Sequence, residues 1–365
     1  VPILTFPGRS LSLTVRDTEK YRRRNPAQIL PGLENFRIGV VIPCYNENAA
    51  LGETLSSLKE ALAESEEAAA VLVVVNHPAG ADDTQSLLLC KLLEERAFDY
   101  PFLFFLYAPG LKGGVGEARK IGMDSFLQSR PAENAPGTLI CSMDGDTLVD
   151  KSYFKEIITH FKNSTAGGVS ISLRHRTAGN EEQEQAIRRY EAYLDCYAAQ
   201  LKRCGSPYGF HTVGSAFAVT GEAYMKCGGM KVRPAGEDFY FLQEVAKTSG
   251  VSTLDKVLVF PSPRISDRTP FGTGQAVKDI MAGKPLSEVS DRAFDRLKGV
   301  LESVSLETLD TDTPLLPEQE FFEAERFFKV WSSIRRNTPR TKLCSAFHIW
   351  FDGLKTLRFL HWCDA

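Results

Sequence analysis

Asp144 and Asp146, one residue apart around Gly145, are a pair of carboxylates that can hold a hard divalent cation, and the cation in turn a diphosphate. The apolar run just before them, residues 138–143, reads as a buried strand, so both acids emerge at its C-terminal end. In open α/β sheets that end is where ligands bind, and Gly145 lets a bulky ligand approach the backbone. An isolated Asp-Gly-Asp is just as well a solvated turn, so its neighbours matter. Lys112-Gly113-Gly114-Val115-Gly116 precedes a helical stretch, and a glycine-rich helix start offers N–H groups to an anion. Lys112 and Arg119 can pair with phosphate there, although Arg119 equally suits a structural partner for Asp144. Residues 263–274 form a loop rich in Pro and Gly. Within it, Arg264 and Arg268 can close over a diphosphate, with Gly272 and Gly274 as hinges. A rigid linker and an acceptor-recognition loop are the rival readings.

Alternating strands and helices must position these groups. Strands are expected over 38–42, closed by Pro43, and over 71–75, 102–107 and 138–143. Helical spacing appears at Leu51, Leu55, Leu58 and Leu62, and helices are expected over 87–96 and from about 117 to 128. Unbroken apolar strands between helices argue for an α/β fold with a mostly parallel mixed sheet flanked by helices. Later strands are expected over 168–173, 215–220 and 257–260, with a long helix whose stripe is Ile187, Tyr190, Leu194, Tyr197 and Leu201. From about Pro285 the pattern is helical to the end.

The 365 residues allow a large core or two domains, and a net charge of −3 gives no argument for nucleic acid. No stretch approaches the roughly 18 apolar residues of a membrane span, and the apolar run at residues 1–6 is too short for a signal peptide. Eight scattered cysteines without a Cys-x-x-Cys read as reduced residues of a cytoplasmic protein.

Five motifs in order carry a family resemblance. Val41-Ile42-Pro43-Cys44-Tyr45-Asn46-Glu47 resembles the opening strand and loop of family 2 glycosyltransferases, and Gly116-Glu117-Ala118-Arg119-Lys120-Ile121-Gly122 resembles their Gly-x-Ala-Arg-Asn-x-Gly helix start. Asp144-Gly145-Asp146 resembles their metal motif, the stretch from Gly214 to Met230 their acceptor-side strand and Gly-Gly turn, and Gly236-Glu237-Asp238 their catalytic acids. The resemblance spans about residues 38–275 and implies a GT-A fold of two fused Rossmann-like halves. It divides the chain into an N-terminal arm (1–35), a GT-A domain (36–284, with a nucleotide-sugar half at 36–150 and an acceptor half at 151–284) and a C-terminal helical extension (285–365). It also implies a nucleotide-diphosphate sugar donor, Mg²⁺ or Mn²⁺, and transfer to a sugar, lipid-linked or small-molecule acceptor. By the same resemblance, Pro43, Tyr45 and Glu47 lie against the nucleoside, Asp144 faces the ribose, Asp146 with Asp144 holds the metal, and Asp238 takes the acceptor's proton while Glu237 orients the acceptor or its loop. Lys112, Gly116, Arg119, Arg264 and Arg268 fall to the donor. A base separated from the metal acid implies direct displacement with inversion, and retention, which needs a different arrangement, stays open. The rival activities are nucleotidyl transfer on a similar sheet and a non-catalytic sugar-nucleotide scaffold.

The chain departs from the family in places. The usual Asp-Asp-Gly-Ser after the second strand is replaced by Val75-Asn76-His77-Pro78, which leaves Asn76 to meet the base. The Arg/Gln-x-x-Arg-Trp motif of processive synthases is absent, so single transfer is expected. From Arg326 to the end, eight Lys/Arg stand against two Asp, among Phe347, Ile349, Trp350, Phe351, Leu354, Leu357, Phe359, Leu360 and Trp362. That composition suits an anionic membrane surface at the cytoplasmic face, a homodimer contact, or packing on the core, with packing or dimerisation favoured.

Overall fold

The computed structural model describes residues 13–97, 100–233, 235–264 and 272–365. These residues fall into two compact units, one of 13–191 with 211–284, the other of Ala192–Phe210 with Pro285–Ala365.

The first unit opens with helix α1 (Val15–Arg24), inside the stretch expected as an arm. Thr14 and Asp17 cap it reciprocally through side chain and backbone. Only Thr18 and Tyr21 of α1 are buried. The chain then alternates through β1 (Ile38–Cys44), α2 (Asn48–Ala63), β2 (Ala69–Pro78), α3 (Thr84–Arg96), β3 (Leu103–Leu111), α4 (Gly114–Ser129) and β4 (Leu139–Ser142). β5 (Leu148–Val149), α5 (Tyr153–Asn163), β6 (Gly168–Leu173), α6 (Glu181–Arg203), β7 (Phe217–Thr220), α7 (Gly221–Lys226), α8 (Glu237–Ser249), β8 (Val251–Phe260) and α9 (Thr273–Met281) follow.

Eight strands form one mixed sheet in the order β3-β2-β1-β4-β7-β6-β8-β5. β3, β2, β1 and β4 run parallel, as does the β6–β8 pair, while β7 is antiparallel to β4 and β6, and β5 to β8. All of β1 is buried, as expected of a strand covered on both faces. Ile38, Val40, Ile42 and Cys44 share a core cluster with Leu51, Leu55 and Leu58 of α2. Val41 packs toward α4, where a side chain on Gly122 would lie 2.4 Å from it. The strand order reverses between β1 and β4, since β2 lies on one side of β1 and β4 on the other. Such a switch point opens a crevice at the strands' carboxyl ends.

The second unit takes the C-terminal part of α6 together with α10 (Asp291–Glu302), α11 (Leu306–Leu309), α12 (Gln319–Ala324), α13 (Phe327–Asn337), α14 (Leu343–Trp350) and α15 (Gly353–Asp364). Its own core is aromatic: Phe321, Phe322, Phe327, Trp331, Phe347, Phe351 and Phe359 are buried together. Of the nine apolar residues singled out in the tail, Phe347, Trp350, Phe351, Phe359 and Leu360 lie in this core, and only Ile349 is well exposed. Among the described residues no helix is long and apolar enough to cross a membrane.

Candidate active site

Both switch-point strands deliver acids to the crevice. Glu47 follows β1, and Asp144 and Asp146 follow β4. The Asp-Gly-Asp turn is pinned from outside: Thr54 donates its hydroxyl to the Gly145 carbonyl at 2.9 Å, and Arg176 donates to the Asp146 carbonyl at 3.2 Å. A Cβ on Gly145 would fall 2.6 Å from Glu47 Oε2, so glycine is what lets the two acidic loops approach. One guanidinium nitrogen, Arg264 Nη2, joins those loops, 2.5 Å from Glu47 Oε1 and 2.9 Å from Asp146 Oδ2. Burial, then the charges of Asp144 and Glu47, push the Asp146 carboxyl up to about 6, with Arg264 partly offsetting them.

A second arginine ties Asp144 to the acids of α8. Arg119, on α4, donates Nη2 to Asp144 Oδ1 at 2.5 Å and Nη1 to Glu237 Oε1. Both Arg119 and Glu237 are buried. Burial opposes the guanidinium's charge, but Asp144, Glu237 and Asp238 outweigh it and hold Arg119 protonated. Its position on α4 needs Gly116, because a Cβ there would lie 2.8 Å from Cβ and Cγ of Glu237. Asp238 stands beside Glu237 in the first turn of α8, after Gly236 in the left-handed region at φ 69°. It is half-buried, and its Oδ1 accepts the Phe239 N–H at 2.8 Å. Burial first and the Glu237 charge second push Asp238 up to about 6.

The other expected site residues have mixed placements. Pro43 lies within β1, paired with Val74, and Tyr45 is half-buried in the loop after it. Asn76, near the end of β2, is buried and donates Nδ2 to the Val74 carbonyl at 3.0 Å. Lys112 is exposed. The expectation that the glycine-rich turn offers free N–H groups needs correction, because Glu117 Oε2 accepts from both Lys112 N–H, at 2.9 Å, and Gly113 N–H, at 2.7 Å. An acid in a first helical turn satisfies those orphan donors locally. Gly116 correspondingly meets Glu237. Arg268 lies outside the described residues.

Three residues that the motifs did not flag belong here. Arg176 bridges the Asp146 carbonyl and Glu53, the latter at 2.9 Å, and Thr54 holds Gly145. His77, next to Asn76, is buried with Nε2 3.1 Å from the Tyr107 hydroxyl. The one sequence signal was Arg174-His175-Arg176, basic residues directly after a strand end.

Acids gathered at the carboxyl ends of the switch-point strands mark this crevice as the candidate site of an α/β protein. The sequence profile of glycosyl transferase family 2 matches residues 39–226, and the chain belongs to that family: it is a glycosyltransferase. Among solved structures, the chain is similar to two glycosyltransferases. TarS (1–349) of S. aureus in complex with UDP-GlcNAc is 14% identical, with 72% of this chain and 70% of that one covered and a TM-score of 0.43. The mannosyltransferase PcManGT from Pyrobaculum calidifontis in complex with GDP-Man and Mn²⁺ is 14% identical, with 93% and 94% covered and a TM-score of 0.43. No curated protein matches the chain in sequence. Family membership decides against nucleotidyl transfer and against a non-catalytic scaffold.

Proposed function

We propose that the chain moves a hexosyl group from a nucleotide-diphosphate sugar to an acceptor hydroxyl, one transfer at a time and with inversion at the anomeric carbon. The observation that carries this reading is the joining of two acid clusters, Glu47 with Asp146 and Glu237 with Asp238, through Asp144 and Arg119. One cluster suits the donor and the other the acceptor.

The donor cluster fits a divalent cation on the chemistry of its donors. Its ligands are hard carboxylate oxygens, and the four acids of the two clusters together with Asp144 outnumber Arg119 and Arg264, an excess that a cation relieves. Asp146 with Asp144 would hold Mg²⁺ or Mn²⁺, and the ion would supply positive charge to the leaving diphosphate. Asn76 meets the base: its amide nitrogen is committed to the Val74 carbonyl, so Oδ1 is left to accept from a ring N–H, as uracil or guanine offers. Asp238 takes the proton of the acceptor hydroxyl as that oxygen attacks the anomeric carbon. A group that titrates near 6 is unprotonated at neutral pH yet basic enough to accept. Glu237 and Arg119 hold Asp238's helix start against Asp144, so the base keeps its distance from the leaving group. Attack from the base's side opposite the diphosphate gives inversion.

Thermal shifts with UDP, GDP and their sugars, with and without Mn²⁺, test this. A ligand at a hundredfold excess over Kd contributes about 2.7 kcal/mol. The expected result is a shift with one nucleotide that requires the metal and is lost in Asp146→Ala. Asp238→Asn should keep that shift and lose transfer. Sugar transfer at the wild-type rate in Asp238→Asn would remove the base assignment.

A further inference from the structure

Arg264 and Arg119 both pair with the site's acids, but they are held very differently. Arg119 is locked: its side chain is 4% exposed and it is clamped between Asp144 and Glu237. The Arg264 side chain is 39% exposed, while the carboxylates it bridges, Glu47 and Asp146, are 8% and 14% exposed. The acids are therefore the fixed partners and the arginine the accessible one. Its backbone is anchored on the approach from β8. The Arg176 N–H donates to the Pro261 carbonyl at 3.0 Å, the Gln183 side-chain amide donates to the Pro263 carbonyl, and the two prolines restrict φ. Any exchange of partners at this position belongs to the side chain. Its contact with Asp146 also engages the carboxylate that would hold the divalent cation, and two positive charges at one carboxylate repel strongly.

Resting on the metal-dependent donor reading above, we propose that Arg264 is an internal counter-cation: its guanidinium and the divalent metal exclude one another from Asp146. Metal loading thereby releases Arg264 to the donor's diphosphate. The arginine keeps the acidic crevice neutralised before the donor arrives, and it couples metal entry to phosphate binding.

The test titrates Mn²⁺ into the metal-stripped full chain without nucleotide, following free Mn²⁺ by its paramagnetic resonance signal. Arg264→Gln is expected to bind Mn²⁺ about tenfold more tightly than wild type, within the usual range of coupling between two ligands. Arg264→Lys, which keeps the competing charge, stays close to wild type. With Mn²⁺ present, Arg264→Gln should bind UDP or GDP about tenfold more weakly, because the phosphates lose their arginine. Circular dichroism confirms that each variant is folded, and Arg264→Ala replaces Arg264→Gln if the latter is not. Mn²⁺ affinity in the glutamine or alanine variant no greater than in wild type, or no detectable binding by either, overturns the inference. So does a lysine variant that behaves like glutamine. Adding Asp146→Asn to Arg264→Gln separates the two levels. If that addition leaves Mn²⁺ binding unchanged, the metal reading itself fails. If it abolishes binding while Arg264→Gln alone equals wild type, only the exchange fails.

Discussion

At the scale of single residues, the proposed chemistry rests on two carboxyls, each pushed up to about 6 for related reasons. Asp238 is raised by burial and by Glu237, and Asp146 by burial and by Asp144 and Glu47. A base must lose its proton to work, so kcat/KM should rise through an acid limb near pH 6 and level off above it. Removing the neighbouring charge with Glu237→Gln should move that limb to lower pH, and a limb that stays put would show that Glu237 does not act on Asp238. The same shifts bear on stability, with the sign set by their direction. A folded-state pKa raised from 3.8 to about 6 means that the folded chain holds the proton more tightly. The associated stability is present below about pH 4 and is lost as pH rises through 6. Metal-free Asp146→Asn, which mimics the protonated acid, should therefore melt higher than wild type at pH 7 and close to it at pH 4, while losing metal-dependent donor binding. Equal melting at pH 7 would count against the charge excess. Arg119 works in the opposite sense. Replacing it by Met leaves Glu237 buried without its partner, and breaking such a pair costs about 3–5 kcal/mol. Urea unfolding reads this directly, and a loss under about 1 kcal/mol would contradict the bridging role.

Elements place these residues through close approaches more than through motifs. The start of α8 lies against α4 only because residue 116 has no side chain. Gly116→Val should displace Glu237, and with it Asp238, so transfer should fall by at least about tenfold even where the fold survives, since small misplacements at a reacting centre cost that much or more. Wild-type transfer in a folded Gly116→Val protein would show that α8 tolerates the shift. At the helix start read as a phosphate cradle, Glu117 takes the Lys112 and Gly113 N–H groups, and Gly116 lies against Glu237. The expected arm holds a helix: α1 donates Tyr21 hydroxyl to Asp124 at 2.7 Å and Arg22 Nη2 to the carbonyls of Leu127 and Arg130, at the end of α4. Burial raises the Asp124 carboxyl, with Lys120 and Tyr21 opposing the rise. α1 thus satisfies a buried acid and the terminal carbonyls of the helix that carries Arg119.

For the molecule as a whole, the tail's aromatic content belongs to the interior of its unit. Trp331 is fully buried and donates Nε1 to the carbonyls of Leu309 and Thr311, each at 3.2 Å. Trp331→Ala should cost about 3–5 kcal/mol in unfolding and leave retention on anionic vesicles unchanged. A loss of vesicle binding without a loss of stability would reverse that assignment. Much of this protein was legible in its sequence because the signals are local. Continuous apolar runs marked β1, β2 and β4, a leucine stripe marked α2, and the order of five motifs marked the family. The Asp-Gly-Asp acids were placed at a strand end for the same reason, since a buried strand must stop where polar residues begin. What lay beyond the sequence depends on which distant atoms meet. α1 buries only two residues in a strongly polar stretch, β5 is two residues long, and the first part of β8 alternates poorly. The pairing of Arg119 with both Asp144 and Glu237, of Arg264 with Glu47, and of Gly116 with Glu237 joins residues 25 to 217 positions apart. Sequence fixed which groups could ionise and roughly where the strands would present them. Only tertiary structure decided which arginine is buried between acids and which is exposed enough to exchange, because that depends on the desolvation and charge that packing brings together.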